Sequence, residues 1–135
     1  VLEVVHRDDD LVVAALPEDV DLFAAESLRA EIERLLGQGC RRLVLDASRT
    51  AYLDSTGVSL MLSWRRRLEE RQGALVLAGP NEHLRRMMWI LGLEEILPAY
   101  ATVLEAQARV GRGLSQRPAA EDTGDTQGLE GASEV

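Results

Sequence analysis

The chain of 135 residues contains no lysine: all fifteen of its basic side chains are arginine. Chemistry that needs a lysine amine, such as a Schiff base or an ammonium anchor for phosphate, is therefore excluded. Cysteine is reduced to Cys40 alone, which rules out an internal disulfide framework and any Cys-based zinc site and reads as a reduced thiol before a strand. No apolar run approaches the roughly 20 residues that cross a bilayer, and the first residues lack the basic-then-apolar plan of a secretory signal. A cytoplasmic protein without membrane insertion is expected. Aromatics are sparse, two Trp, two Tyr and one Phe, so aliphatic side chains must fill the core.

What is abundant is acid. The formal net charge is −8 and the sequence pI is near 4.8, which argues against nucleic acid as a direct partner because phosphate repels an acidic surface. With 46% hydrophobic residues the length supports one domain with a real core.

Val1 to Val5 and Leu11 to Leu16 read as two strands joined by the polar turn His6 to Asp10. From Leu22 to Gly37, Ala25, Leu28, Ile32, Leu35 and Leu36 recur at helical spacing. Arg42 to Asp46 carries Leu43-Val44-Leu45 between polar ends, the pattern of a central strand covered on both faces. A loop, Ala47 to Leu53, leads to an amphipathic helix over Asp54 to Gln72, with Gly57, Met61, Trp64 and Leu68 along one stripe. Ala74 to Ala78 is another apolar strand. Leu84, Met87, Met88 and Leu91 define a third helix capped by Asn81, Ile96 to Tyr100 an edge strand, and Thr102 to Val110 a last helix. The order β-β-α-β-α-β-α-β-α predicts an α/β domain over residues 1–111, with an initial β-hairpin, a mixed sheet of four to five strands and about four helices. Residues 112–135, rich in Gly, Ser, Gln, Pro and acids, read as a disordered acidic tail.

The stretch that could carry chemistry is Asp54-Ser55-Thr56-Gly57. Asp and Ser both cap helix starts, and the first turn of a helix offers free N–H groups and a partial positive charge, so Ser55 can hold a phosphoryl group without unfolding its own helix. Asp-Ser-Thr-Gly is also simply a good helix start, and capping chemistry by itself favours that plain reading.

Other chemistries fit poorly. A phosphoaspartate receiver would use Asp46 with Asp8-Asp9-Asp10 as its acid cluster, but it needs a lysine. A serine hydrolase would use Ser55, yet Leu53 occupies the first glycine position of Gly-x-Ser-x-Gly, and His6 and His83 read as surface residues. Thr56 intrudes between Ser55 and Gly57 in the Asp-Ser-Gly of an aspartic protease, and no phosphate-cradling Gly-x-x-x-x-Gly-Lys exists. No enzymatic activity, cofactor or metal is expected. Met61, Trp64, Met87 and Met88 read as core, whereas Trp89 falls off its helix's apolar stripe and reads as partly exposed.

Arg42 to Ser48, Tyr52 to Val58, Gly73 to Gly79 and Leu91-Gly92-Leu93 together closely resemble the STAS family, over roughly Val4 to Ala108. In the anti-sigma factor antagonists of that family the Ser after the motif's Asp is the phosphoacceptor, which maps to Ser55. The resemblance implies a non-enzymatic antagonist that binds an anti-sigma factor, itself a serine kinase, with a serine phosphatase to reset it. It implies partner binding through Asp21, Asp54, Ser55, Thr56 and Gly57, where Asp21 matches an acidic residue near the phosphorylation site but is also placed to cap a helix. Ser59 stands where many relatives carry a second Gly, and Leu16 to Val20 is bulkier and more acidic than the usual Gly-Glu turn. STAS domains also serve transporters, lipid trafficking and stress sensing, so an unphosphorylated interaction module is the alternative.

Overall fold

The computed structural model describes residues 2–116, with side chains through residue 111. Its first strands, β1 (Glu3–Asp8) and β2 (Leu11–Ala15), pair antiparallel. The connection is tighter than the turn expected over His6 to Asp10. His6, Arg7 and Asp8 stay in register with Val13, Val12 and Leu11, because an edge strand can bond its backbone on one side while leaving polar side chains in water. Asp9 takes a positive φ of 57°, which a short polar side chain tolerates. The register shifts between Val4 and His6, and Val5 is left exposed at this bulge.

Every residue of β2 is buried. It runs parallel to β4 (Arg42–Asp46), β4 runs parallel to β6 (Ala74–Ala78), and β7 (Ala99–Tyr100) closes the far edge, giving the order β1-β2-β4-β6-β7. The strand read as central is thus the middle one. The last strand is shorter than Ile96 to Tyr100, since the Ile96 and Leu97 amides bond back to the Leu93 carbonyl in a turn.

Four helices cover the sheet: α1 (Ala25–Gly37), α2 (Ser55–Glu70), α3 (Glu82–Ile90) and α4 (Val103–Gln116). Strand alternation divides the core in two. Leu43 and Leu45 of β4 and Leu75 and Leu77 of β6 meet Leu28, Ile32, Met61, Trp64, Leu84 and Met88 of α1, α2 and α3. Val44, Val76 and Ala78 point the other way, onto Ala106 and Val110 of α4. Full cover on both faces explains why the parallel strands read as unbroken apolar runs. Helix α4, capped by Thr102 Oγ1 accepting from the Glu105 N–H at 3.1 Å, runs past Val110 to Gln116. The backbone of residues 112–116 is therefore helical, and the remainder of the expected tail, 117–135, lies outside the described residues.

Two further strands were not foreseen. Residues Asp19–Val20 (β3) and Tyr52–Leu53 (β5) pair parallel as a separate two-stranded sheet, Asp19 opposite Tyr52 and Val20 opposite Leu53. They lie inside segments read as loops, and two-residue strands leave no periodicity to detect. Their effect is to zip together the connections that leave the C-terminal ends of β2 and β4. Helix α2 starts at that seam.

Candidate functional site at the start of α2

Asp54 is the N-cap of α2. Its backbone is extended (φ −103°, ψ −176°), and its Oδ1 accepts from the Gly57 N–H at 2.9 Å. One of the helix's four free N–H groups is satisfied in this way, while those of Ser55 and Thr56 lie ahead of the first intrahelical bond. Its other oxygen, Oδ2, reaches 32 residues back and accepts from the Leu22 N–H at 3.1 Å. A single carboxylate thus holds both its own helix and the turn that precedes α1.

Ser55, the first residue of α2, is exposed; Thr56 and Asp54 are half-buried. Gly57 was expected among the partner-facing residues, but it is buried. A Cβ there would fall 2.2 Å from the Val20 carbonyl oxygen and 2.7 Å from Leu53 Cδ1, so the glycine lets α2 press against β3 and β5 rather than facing outward. Asp21 is half-buried, and its Oδ1 accepts from the Ala24 N–H at 3.0 Å. It closes the turn leading into α1, and it directly precedes the amide that Asp54 holds. Asp21 is thus a turn residue before α1, whose N-cap is Ala24, rather than the helix cap itself, and it lies next to the seam at the start of α2.

Thr50, a buried polar residue, ties the seam further. Its hydroxyl donates to the Pro17 carbonyl at 3.0 Å and its own carbonyl accepts from Asn81 Nδ2 at 3.2 Å, while the Ala51 and Tyr52 amides both donate to the Glu18 carbonyl. The exposed serine stands beside a seam tied by these hydrogen bonds.

The surroundings of Ser55 carry features that sequence reasoning missed. Phe23, the only phenylalanine, is 93% exposed; Leu22 beside it is 64% exposed and Tyr52 53%. The available signal was phase: Phe23 is out of step with the stripe of Ala25, Leu28, Ile32 and Leu35, so an aromatic ring falls on the polar side. The two segments that build the surface, 16–28 and 50–64, hold Glu18, Asp19, Asp21, Glu26 and Asp54 and no Arg, Lys or His.

His6 and His83, the bases a hydrolase reading would require, are exposed on β1 and α3; His6 lies in a strand rather than in the turn expected there. Among the described residues no group of three or more His, Cys, Asp or Glu side chains is arranged to hold a metal ion, and no helix is long and apolar enough to cross a membrane. Cys40 is buried, and burial pushes its thiol up to about 11.

The described residues form an α/β sheet with helices on both faces and present the exposed Ser55 hydroxyl at a capped helix start. A family model described as "Mlab, STAS domain" matches residues 3–98. The chain is 36% identical over 90 residues to a putative anti-sigma factor antagonist, BtrV, of Bordetella bronchiseptica, a match spanning 67% of this chain and 78% of that one. Among solved structures it is similar to the anti-sigma factor antagonist SpoIIAA in its unphosphorylated form (TM-score 0.70, 29% identity, 82% of this chain and 96% of that one). The phosphorylated form of SpoIIAA, from Bacillus, gives a TM-score of 0.64 at 30% identity over 82% and 99% of the two chains. The chain belongs to the STAS domain family, of the type that includes anti-sigma factor antagonists.

Proposed function

We propose that this chain is an anti-sigma factor antagonist: with Ser55 unmodified it binds an anti-sigma factor that is a serine kinase, and phosphorylation of Ser55 ends the binding. The observation that carries the reading is the exposed Ser55 hydroxyl directly after the Asp54 cap, in a chain related to antagonists one of which, SpoIIAA, has a phosphorylated form. In the transfer, the serine oxygen bonds to the γ-phosphorus of ATP, the bond from that phosphorus to the bridging oxygen breaks, and ADP departs. The hydroxyl proton passes to a base on the kinase.

The product adds about −1.5 to −2 charges at the first position of α2. The free N–H groups and the helix's positive end offset part of that charge, so the domain keeps its fold. In the complex the dianion is covered beside the Asp54 carboxylate and stripped of water. Repulsion and desolvation there weaken the complex. A serine phosphatase, delivering water to the phosphorus, restores the hydroxyl and the binding. The cytoplasm, where ATP and sigma factors reside, is the compartment this requires.

Asp54 fixes the acceptor by capping its helix, Asp21 shapes the adjoining turn, and Thr56 is a neighbouring hydroxyl, half-buried, that serves the contact surface. The test is to incubate the chain with purified anti-sigma factor kinases of its organism and ATP, and to map the phosphate by mass spectrometry. Modification is expected at Ser55, none in Ser55→Ala, and loss of kinase binding in Ser55→Asp. Phosphate elsewhere, or unchanged binding of Ser55→Asp, would refute the reading.

A further inference from the structure

The most exposed large apolar side chain of the described residues, Phe23, and its neighbour Leu22 spend no packing energy on this domain's own core. Exposed aromatic rings of this kind are costly to leave in water, and aromatic anchors carry a disproportionate share of binding energy at protein interfaces. Their position is also not left to chance. The Leu22 amide is held by Asp54 Oδ2, the Ala24 amide is bonded to Asp21 through both its side chain and its carbonyl, and the preceding Val20 is paired with Leu53 in the β3–β5 seam. The turn is thus presented in one orientation, beside Ser55, without a loop-ordering cost on binding.

We infer that Leu22 and Phe23 are the specificity anchor of the Ser55 surface, with Phe23 entering an apolar pocket of the anti-sigma kinase that is rimmed by basic side chains. The basic rim follows from charge: segments 16–28 and 50–64, which build this surface, carry Glu18, Asp19, Asp21, Glu26 and Asp54 and no cation, the nearest in sequence being Arg29, Arg49 and Arg65 at their ends. A complementary partner brings Arg or Lys to this rim, which accelerates encounter at low salt. The apolar contact then sets how long the complex lasts. This inference rests on the proposed function, because it takes the kinase as occupant. It goes beyond that reading by placing partner choice in two side chains that take no part in phosphoryl transfer.

The test measures association and dissociation of the full chain on immobilised anti-sigma factor kinases with ADP present, for wild type, Phe23→Ala, Leu22→Ala, Ser55→Asp and Trp89→Ala. Phe23→Ala is expected to weaken binding about tenfold or more, chiefly through faster dissociation, with its thermal unfolding unchanged because the ring packs on nothing. Trp89→Ala, which removes another exposed aromatic ring, stays within about twofold of wild type, and added salt slows wild-type association. If Ser55→Asp abolishes binding while Phe23→Ala binds as wild type does, the anchor is refuted and the switch stands. If binding to the kinases by wild type and Ser55→Asp is the same, or if none binds wild type, the proposed function falls and takes the anchor with it.

Discussion

Replacing Gly57 by alanine tests how the site is built. Position 57 lies in the first turn of α2, where an isolated helix would welcome alanine by about 1 kcal/mol. The tertiary structure opposes it. The new Cβ would stand 2.2 Å from the Val20 oxygen, where ordinary contact begins near 3.4 Å, and 2.9 Å from Val20 Cγ1. Little can give way, since the Val20 oxygen also accepts from the Asp54 amide at 3.3 Å and Val20 is paired in the β3–β5 seam. Relief requires α2 to retreat by about 1 Å, which strains or breaks the Asp54–Leu22 bond.

Overpacking of this kind costs roughly 1–3 kcal/mol, and a lost hydrogen bond adds about 1 kcal/mol. Set against the helix-propensity gain, the net loss is about 2 kcal/mol, or roughly 10 °C in Tm for a domain of this size. Urea unfolding followed by circular dichroism measures it. The matched control is Gly37→Ala, at the last residue of α1 with nothing within 4 Å of the added carbon, which should leave stability unchanged or raise it by about 0.5–1 kcal/mol. A Gly57→Ala protein as stable as wild type would refute the close approach of α2 to β3, and with it the account of how Ser55 is positioned.

The two tryptophans should behave oppositely: Trp64, 2% exposed inside the main core, should cost about 3–5 kcal/mol when truncated to alanine, whereas Trp89, 67% exposed, should change stability by less than about 0.5 kcal/mol; denaturation curves of the two variants decide. For Cys40, burial raises the thiol from 9.0 to about 11. The unfolded chain then loses this proton at lower pH than the folded one does, so the contribution is complete below about pH 9 and is lost as pH rises through about 11. Wild type should lose stability over that window relative to Cys40→Ala, by an amount on the order of 2 kcal/mol, and at pH 8 the folded thiol should react slowly with iodoacetamide while the unfolded one reacts fast. Equal pH profiles for the two proteins would refute this.

Elements whose signal is local can be read from neighbouring residues. The stripes of α1 and α2 and the apolar runs of β4 and β6 are set by periods of a few residues, whereas the α3 stripe holds at Leu84 and Met88 but not at Leu91, which is exposed at the helix end; Asp54 and Asn81 announce their helices because an N-cap bonds within its own first turn. Ser55 was legible as the first residue of α2 for the same reason, and its proposed role as acceptor rests on resemblance across a motif of adjacent residues. Features that join residues some 30 positions apart emerge only on folding. The pairing of Asp19–Val20 with Tyr52–Leu53, the Asp54–Leu22 hydrogen bond and the seat of Gly57 against Val20 arise when the connections after β2 and β4 are brought side by side by their parallel strands. The same holds for exposure: phase with the α1 stripe hints that Phe23 is not core, but it is the turn before α1, held by the Asp54–Leu22 and Asp21–Ala24 hydrogen bonds, that leaves the ring outside.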